Sequence, residues 1–206
     1  MSDCDCRSEL ANAKTERRVI GVALGLNFTM FMVEATAGWI ADSSALLADA
    51  LDMLADAVGY AIALAAIGRA EAFKTRAALR SALLLAVLGT AVILETIRRA
   101  IMGSAPEGPL MLPVALLALI VNSAVLVMLA RYRRGEVHLR ASWIFTRADV
   151  IANLAVILAA LLVKITQSRM PDIVIGLGIG VYVVREAIEI RTMASNNRAQ
   201  TISGDS

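Results

Sequence analysis

Six long apolar stretches, separated by short polar or turn-forming segments, dominate the pattern of the chain. Crossing about 30 Å of hydrocarbon as an α-helix takes about 20 apolar residues. The stretches are rich in Ala and Leu and lack the strict alternation of a membrane β-strand, so each one predicts a helix. The predicted spans are residues 19–41, 44–67, 81–97, 110–130, 142–163 and 173–190.

The composition agrees with this pattern, because 58% of the 206 residues are hydrophobic and the mean hydropathy is +0.69. A soluble domain of this length keeps more polar surface. We therefore predict an all-α membrane protein, a bundle of six transmembrane helices. Residues 1–18 and 191–206 would be short polar tails beside one membrane domain of residues 19–190. The first stretch lacks a small-residue cleavage signature, so we expect a retained signal anchor.

The Lys and Arg residues predict the orientation of the six spans. With the N-terminus inside, fourteen of the twenty Lys and Arg residues lie on the cytoplasmic side and four on the other. Two more, Arg147 and Arg185, fall within spans. The bias predicts that both termini are cytoplasmic, which is consistent with an even number of spans.

Charged residues inside a span are costly and are functional by default. The second span contains Asp49, Asp52 and Asp56, spaced three and then four residues apart, which puts them on one stripe of a helix. The fifth span contributes Asp149. At 1.5 Å per residue, Asp52 lies about 12 Å below one surface and Asp149 about 10 Å below the other. Antiparallel helices would therefore bring these acids to similar depths.

Several carboxylates facing one another in a low dielectric cannot all stay ionised, so the cluster must bind protons or a cation. A divalent metal ion bound by oxygen ligands satisfies it, and the metal must displace protons to enter. That competition is a mechanism for metal–proton antiport. The alternative is that some of the acids pair with Arg147 or Arg185 and hold the helices together.

These residues resemble the motifs of the cation diffusion facilitator family, which carries paired ligands four residues apart on its second and fifth helices. The stretch 48–56, Ala-Asp-Ala-Leu-Asp-Met-Leu-Ala-Asp, is similar to the second-helix motif, and 145–153, Phe-Thr-Arg-Ala-Asp-Val-Ile-Ala-Asn, to the fifth-helix motif. Asn27 and Glu34, seven residues apart on the first helix, also fit. The resemblance covers about residues 19–190 and implies Asp52, Asp56 and Asp149 as metal ligands.

Two features depart from the family pattern. The family usually has a soluble C-terminal domain that dimerises and senses metal, and we expect a short form without it. Phe145 stands where the family usually has His or Asp, so the predicted site is three aspartates completed by water or by Asn153. Asp49 and Glu34 are candidates for a supporting role or for the ion path, as are Asn153 and Asn27.

The resemblance implies a secondary transporter in a bacterial inner membrane that exports divalent metal in exchange for protons. Zinc and cadmium are favoured, and an all-oxygen site also leaves cobalt, manganese or iron open. A homodimer is expected from the family alone. The rival interpretations are a metal-binding sensor or scaffold without flux, and a proton-coupled exporter of organic cations. We predict neither enzyme activity nor ATP coupling, since no Walker motif is present.

Two further features have open interpretations. Cys4 and Cys6 could capture a soft metal at the cytoplasmic mouth, or they could be two reduced thiols of an ordinary polar tail. The basic segments between spans are typical of topology determinants in contact with the lipid bilayer. They are short and lack interleaved aromatic residues, which argues against nucleic acid as a partner.

Overall fold

The computed structural model describes residues 3–66, 71–130 and 137–204, with the side chains of 15, 17–65, 76, 79–130, 146 and 149–192. These residues form six helices and no strand. The helices are α1 (Asp3–Ile40), α2 (Ser44–Ala66), α3 (Glu71–Met102), α4 (Gly108–Ala130), α5 (Val137–Thr166) and α6 (Met170–Gly204). The predicted all-α fold class with six helices is confirmed.

Several helices extend beyond the apolar stretches that predicted them. α1 begins at Asp3 instead of near residue 19, α3 covers Glu71–Met102 instead of 81–97, and α6 continues to Gly204. The segments added to α1 and α3 are rich in Ala, Glu, Lys and Arg, which have favourable helix propensity. The length of an apolar stretch therefore indicates which part of a helix fits the hydrocarbon layer. It does not determine the residue at which the helix begins or ends.

Among the described residues, four helices contain segments long and apolar enough to cross a membrane: Arg17–Ile40, Leu79–Met102, Gly108–Ala130 and Asp149–Thr166. α2 and the predicted span of α6 each include three charged residues. Two of the three charged residues in the α6 span are exposed, whereas α2 lies inside the bundle, since it packs against α1, α3, α5 and α6. Charged groups in membrane spans face the bundle interior in this way.

The connections that follow α1, α3 and α5 lie together at one end of the bundle, which we call the hairpin end. The backbone N–H of Glu107 donates to the carbonyl of Ala41 at 3.0 Å. The side chain of Asp172, in the first turn of α6, accepts a hydrogen bond from the hydroxyl of Ser43 at 2.5 Å. These bonds join the start of α4 and the start of α6 to the α1–α2 turn.

The N-terminus of α2 is capped by two side chains. Ser43 accepts a hydrogen bond from the N–H of Leu46 at 3.1 Å, as an N-cap residue does. The carboxylate of Asp172 also accepts from the N–H of Ser44 at 2.7 Å and from that of Ala45 at 3.1 Å. A buried carboxylate at the positive end of the helix dipole therefore fixes α2 against α6.

α6 approaches the backbone of α2 closely at Gly176. A Cβ atom added there would lie 2.7 Å from the carbonyl carbon of Ser44, and one added at Gly180 would lie 3.0 Å from Ile93. Both glycines of this Gly-x-x-x-Gly pair contact helices of the same chain, as small residues do in membrane bundles. The pair therefore serves packing within the bundle.

We expect Gly176→Ala to destabilise the protein by about 1–3 kcal/mol, because the new methyl group meets backbone that cannot move aside. Gly178→Ala is the matched control on the same helix, where an added Cβ has no atom within 4 Å. Thermal unfolding in detergent should show a lower midpoint for Gly176→Ala and an unchanged or higher one for Gly178→Ala. Equal midpoints would show that α6 shifts to accept the methyl group.

Candidate metal site

Three of the predicted ligands, one pair from α2 and one residue from α5, come together inside the bundle. Asp52 and Asp149 are 4% and 5% exposed, and the carboxyl group of Asp149 lies within hydrogen-bonding reach of those of Asp52 and Asp56. One oxygen of each of the three carboxyl groups is buried without a hydrogen-bond partner. We call these three residues the Asp149 cluster.

The local sequence explains how the two helices approach. Asp52 and Asp56 are one turn apart on α2, and small buried alanines flank them at Ala55 and Ala57. Small side chains allow helix axes in membrane bundles to come close. α5 runs antiparallel to α2 and supplies Asp149 from the opposite direction.

The Asp149 cluster has a clear chemical consequence. Three carboxyl groups in contact, away from water, cannot all be ionised unless a cation or protons compensate their charge. Across the described side chains, no group of three or more His, Cys, Asp or Glu residues is already arranged around one point as a metal centre. The carboxyl groups would therefore have to reorient around an ion, and their unpartnered oxygens are free to do so.

A second group of buried polar side chains lies next to this cluster. The amide of Asn153 donates to Asp49 at 2.8 Å, and the amide of Asn122 donates to the oxygen of Asn153 at 3.0 Å. Glu34 contacts Asp49 from α1. Asn153 thus uses its amide to join Asp49 and Asn122, and it is not turned to complete the Asp149 cluster.

Other predicted residues lie apart or outside the described side chains. Asn27 is buried, but its amide donates to the carbonyl of Ala23 in its own helix at 2.9 Å. Arg185, which could have paired with the buried acids, is exposed. The side chains named in the sequence analysis that lie outside the description are Cys4, Cys6, Phe145 and Arg147.

Sequence reasoning missed Glu186. This residue of α6 is half-buried. Its carboxylate is close enough to those of Asp52, Asp56 and Asp149 for the like charges to repel one another. The signal was present, since Glu186 falls inside the predicted span 173–190. An acid within a span is a candidate for an ion path. Beside the cluster, the hydroxyl of Tyr60 is 3.0 Å from that of Thr146, which links α2 to α5.

Comparison with known proteins identifies the family. Residues 20–192 match the cation efflux transmembrane domain. The chain is 30% identical over 179 residues to the metal cation efflux system protein CzcD of Cupriavidus metallidurans, covering 81% of this chain and 57% of that protein. It is 26% identical over 193 residues to the zinc transporter ZitB of Escherichia coli, covering 87% and 61% respectively. The chain thus spans less than two thirds of the length of these relatives.

The match covers the whole of α2 to α5, α1 from residue 20 onward and α6 as far as residue 192. It agrees with the prediction that the protein is not an enzyme, and with the apolar helices of an integral membrane protein. The chain therefore belongs to the cation efflux family of integral membrane proteins, the family whose motifs its second and fifth helices resemble.

Proposed function

We propose that the protein exports divalent heavy-metal ions from the cytoplasm in exchange for protons. The observation that carries this proposal is the Asp149 cluster, in which carboxyl groups from α2 and α5 touch inside the bundle with unpartnered oxygens. Metal and protons compete for the same oxygens, so binding one releases the other. Metal affinity therefore falls as pH falls, and an inward proton gradient drives metal outward.

Zinc and cadmium are the proposed substrates. CzcD is named a metal cation efflux protein and ZitB a zinc transporter, which supports a metal cargo for this chain. Three aspartates offer only oxygen ligands, and Phe145 adds none. Oxygen ligands discriminate weakly among zinc, cadmium, cobalt, manganese and iron.

In the proposed transport cycle, the helix bundle lies in a bacterial membrane with both termini in the cytoplasm. Asp52, Asp56 and Asp149 would hold the ion near the middle of the membrane. Movement of the helices would open the cluster to each side in turn, with protons occupying the carboxyl groups on the return step. We also propose that the protein forms a homodimer, that it contacts the lipid bilayer, and that short polar tails flank its membrane domain.

The test is metal flux into or out of liposomes containing the purified protein. We expect zinc and cadmium to move in the direction opposite to the protons that flow down an imposed pH gradient. This metal flux should stop when a protonophore removes the gradient. Protein-free liposomes provide the background. Metal binding without flux of any tested ion would favour the sensor interpretation, and gradient-driven movement of a cationic dye without metal flux would favour an exporter of organic cations. Either result contradicts the proposal.

A further inference from the structure

The polar group next to the Asp149 cluster is buried as completely as the hydrophobic core. Glu34, Asp49, Asn122 and Asn153 come from α1, α2, α4 and α5, and each is 0% exposed. Burying four polar side chains costs free energy unless each finds partners. Two hydrogen bonds join three of them, from Asn122 to Asn153 and from Asn153 to Asp49.

The remaining oxygens of this group lack donors. Both carboxyl oxygens of Glu34, the second oxygen of Asp49 and the oxygen of Asn122 are buried without a hydrogen-bond partner. The amide hydrogens of Asn153 are directed at Asp49, which fixes that carboxyl group beside Glu34. Unsatisfied buried acceptors of this kind need either a proton shared between the two carboxyl groups or a positively charged partner.

No described cation supplies that charge. Within the described residues, the ion pairs formed by Arg98 and Arg99 go to Glu95 and Asp42 at the hairpin end, and none reaches Glu34. Among the described side chains, no cation therefore compensates this pair of acids. A buried pair of carboxylates with oxygen neighbours is a ligand set for a divalent cation.

We propose that Glu34 and Asp49 form a second binding position for the transported divalent cation, with Asn153 holding Asp49 in place. The inference rests on the proposed function, because it takes the cargo of the Asp149 cluster as the ligand. Asp49 is three residues, about 4.5 Å of helix rise, nearer the hairpin end than Asp52. Asn153 is one turn beyond Asp149 in the same direction along α5.

The second position therefore lies next to the first on the side of the hairpin end, which is the exit side in the proposed orientation. Glu34, Asp49 and the Asp149 cluster together offer five carboxyl groups, and one divalent ion compensates only two negative charges. Two dications this close repel each other strongly in a low dielectric. The two positions consequently fill one after the other, and the second ion binds more weakly.

The test counts cadmium ions bound to the purified full-length protein in lipid nanodiscs by equilibrium dialysis. Cys4→Ser and Cys6→Ser are introduced into the reference protein, called wild type below, and into every variant, so that the two thiols bind no cadmium. Wild type should bind two ions per chain, the second about tenfold or more weaker. Glu34→Gln and Asp49→Asn should each bind one ion and keep the tighter site, while Asp149→Asn should lose the tighter site. Glu107→Gln, an exposed residue at the hairpin end, is the matched control and should bind two. Elution as a single species in size-exclusion chromatography confirms that each variant is folded.

Two results would overturn the second position. One is a single ion bound to wild type, and the other is a stoichiometry that neither Glu34→Gln nor Asp49→Asn changes. A change in the pH dependence of flux without a change in stoichiometry would mean that Glu34 and Asp49 bind protons only, which also overturns it. In these cases loss of flux in Asp149→Asn would still support the proposed function, so the two failures are distinguishable.

Discussion

Asp149→Asn should reduce metal flux in liposomes by about 100-fold or more. Changing residues that only support a metal ligand costs about 10–100-fold in affinity or activity, so removing a charged ligand should cost at least as much. Asp149 contacts both Asp52 and Asp56. The substitution therefore leaves these two carboxyl groups of α2 without the carboxylate of α5 that would bind the ion together with them. The measurement is the initial rate of zinc or cadmium movement under a fixed proton gradient.

Two variants make the result specific. Asp149→Glu retains the charge one methylene further out, so we expect partial flux, whereas Glu107→Gln should behave as wild type. Asp52→Ala should repeat the loss seen in Asp149→Asn, because the ion needs ligands from both helices. Wild-type flux in both Asp149→Asn and Asp52→Ala would show that the transported ion does not bind the Asp149 cluster.

Asp172→Ala should lower the stability of the folded bundle by about 3–5 kcal/mol. The carboxylate accepts hydrogen bonds from the hydroxyl of Ser43 and from the N–H groups of Ser44 and Ala45. Hydrogen bonds to a charged group contribute about 1.5–3 kcal/mol each, and their loss leaves buried donors without partners. For a chain of this size the corresponding decrease in melting temperature is about 10 °C.

Thermal unfolding of detergent-solubilised protein measures this effect. Asp172→Asn should also destabilise the bundle, because whichever way its amide group is turned, its nitrogen faces the backbone N–H of Ser44 or that of Ala45. Glu107→Ala changes an exposed acid at the same end and should unfold as wild type does. A melting temperature within about 2 °C of wild type for Asp172→Ala, less than 1 kcal/mol at this chain length, would show that Ser43 alone is a sufficient cap for α2.

The sequence was sufficient for the fold class and for which acids are unusual. Hydrocarbon thickness sets the length of an apolar span, so six helices could be predicted from the pattern of hydrophobic positions. The spacing of Asp52 and Asp56 placed them on one helix face, and the count of residues to each membrane surface placed Asp149 at a similar depth. Each of these arguments uses distances along one chain segment, which the sequence specifies directly.

Contacts between helices could be identified only in the tertiary structure, because the spacing of residues along the sequence does not say which neighbouring helix a polar side chain faces. Glu34 and Asp49 were candidates for a supporting role, but only packing shows that they touch and that Asn153 joins Asp49 to Asn122. Glu186 is one acid in an apolar span until α6 is placed beside α2.

The helix ends show the same division. The apolar stretches predicted which part of the chain fits hydrocarbon, yet α1 and α3 begin well before them, because helix propensity and not hydropathy decides where a helix begins. Asp172 lies next to a proline in a turn-like segment, and nothing local indicates that it caps a helix that begins 128 residues earlier. Local periodicity thus determined the six helices and the acids of α2 and α5, and the packing of those helices alone decided which buried oxygens meet.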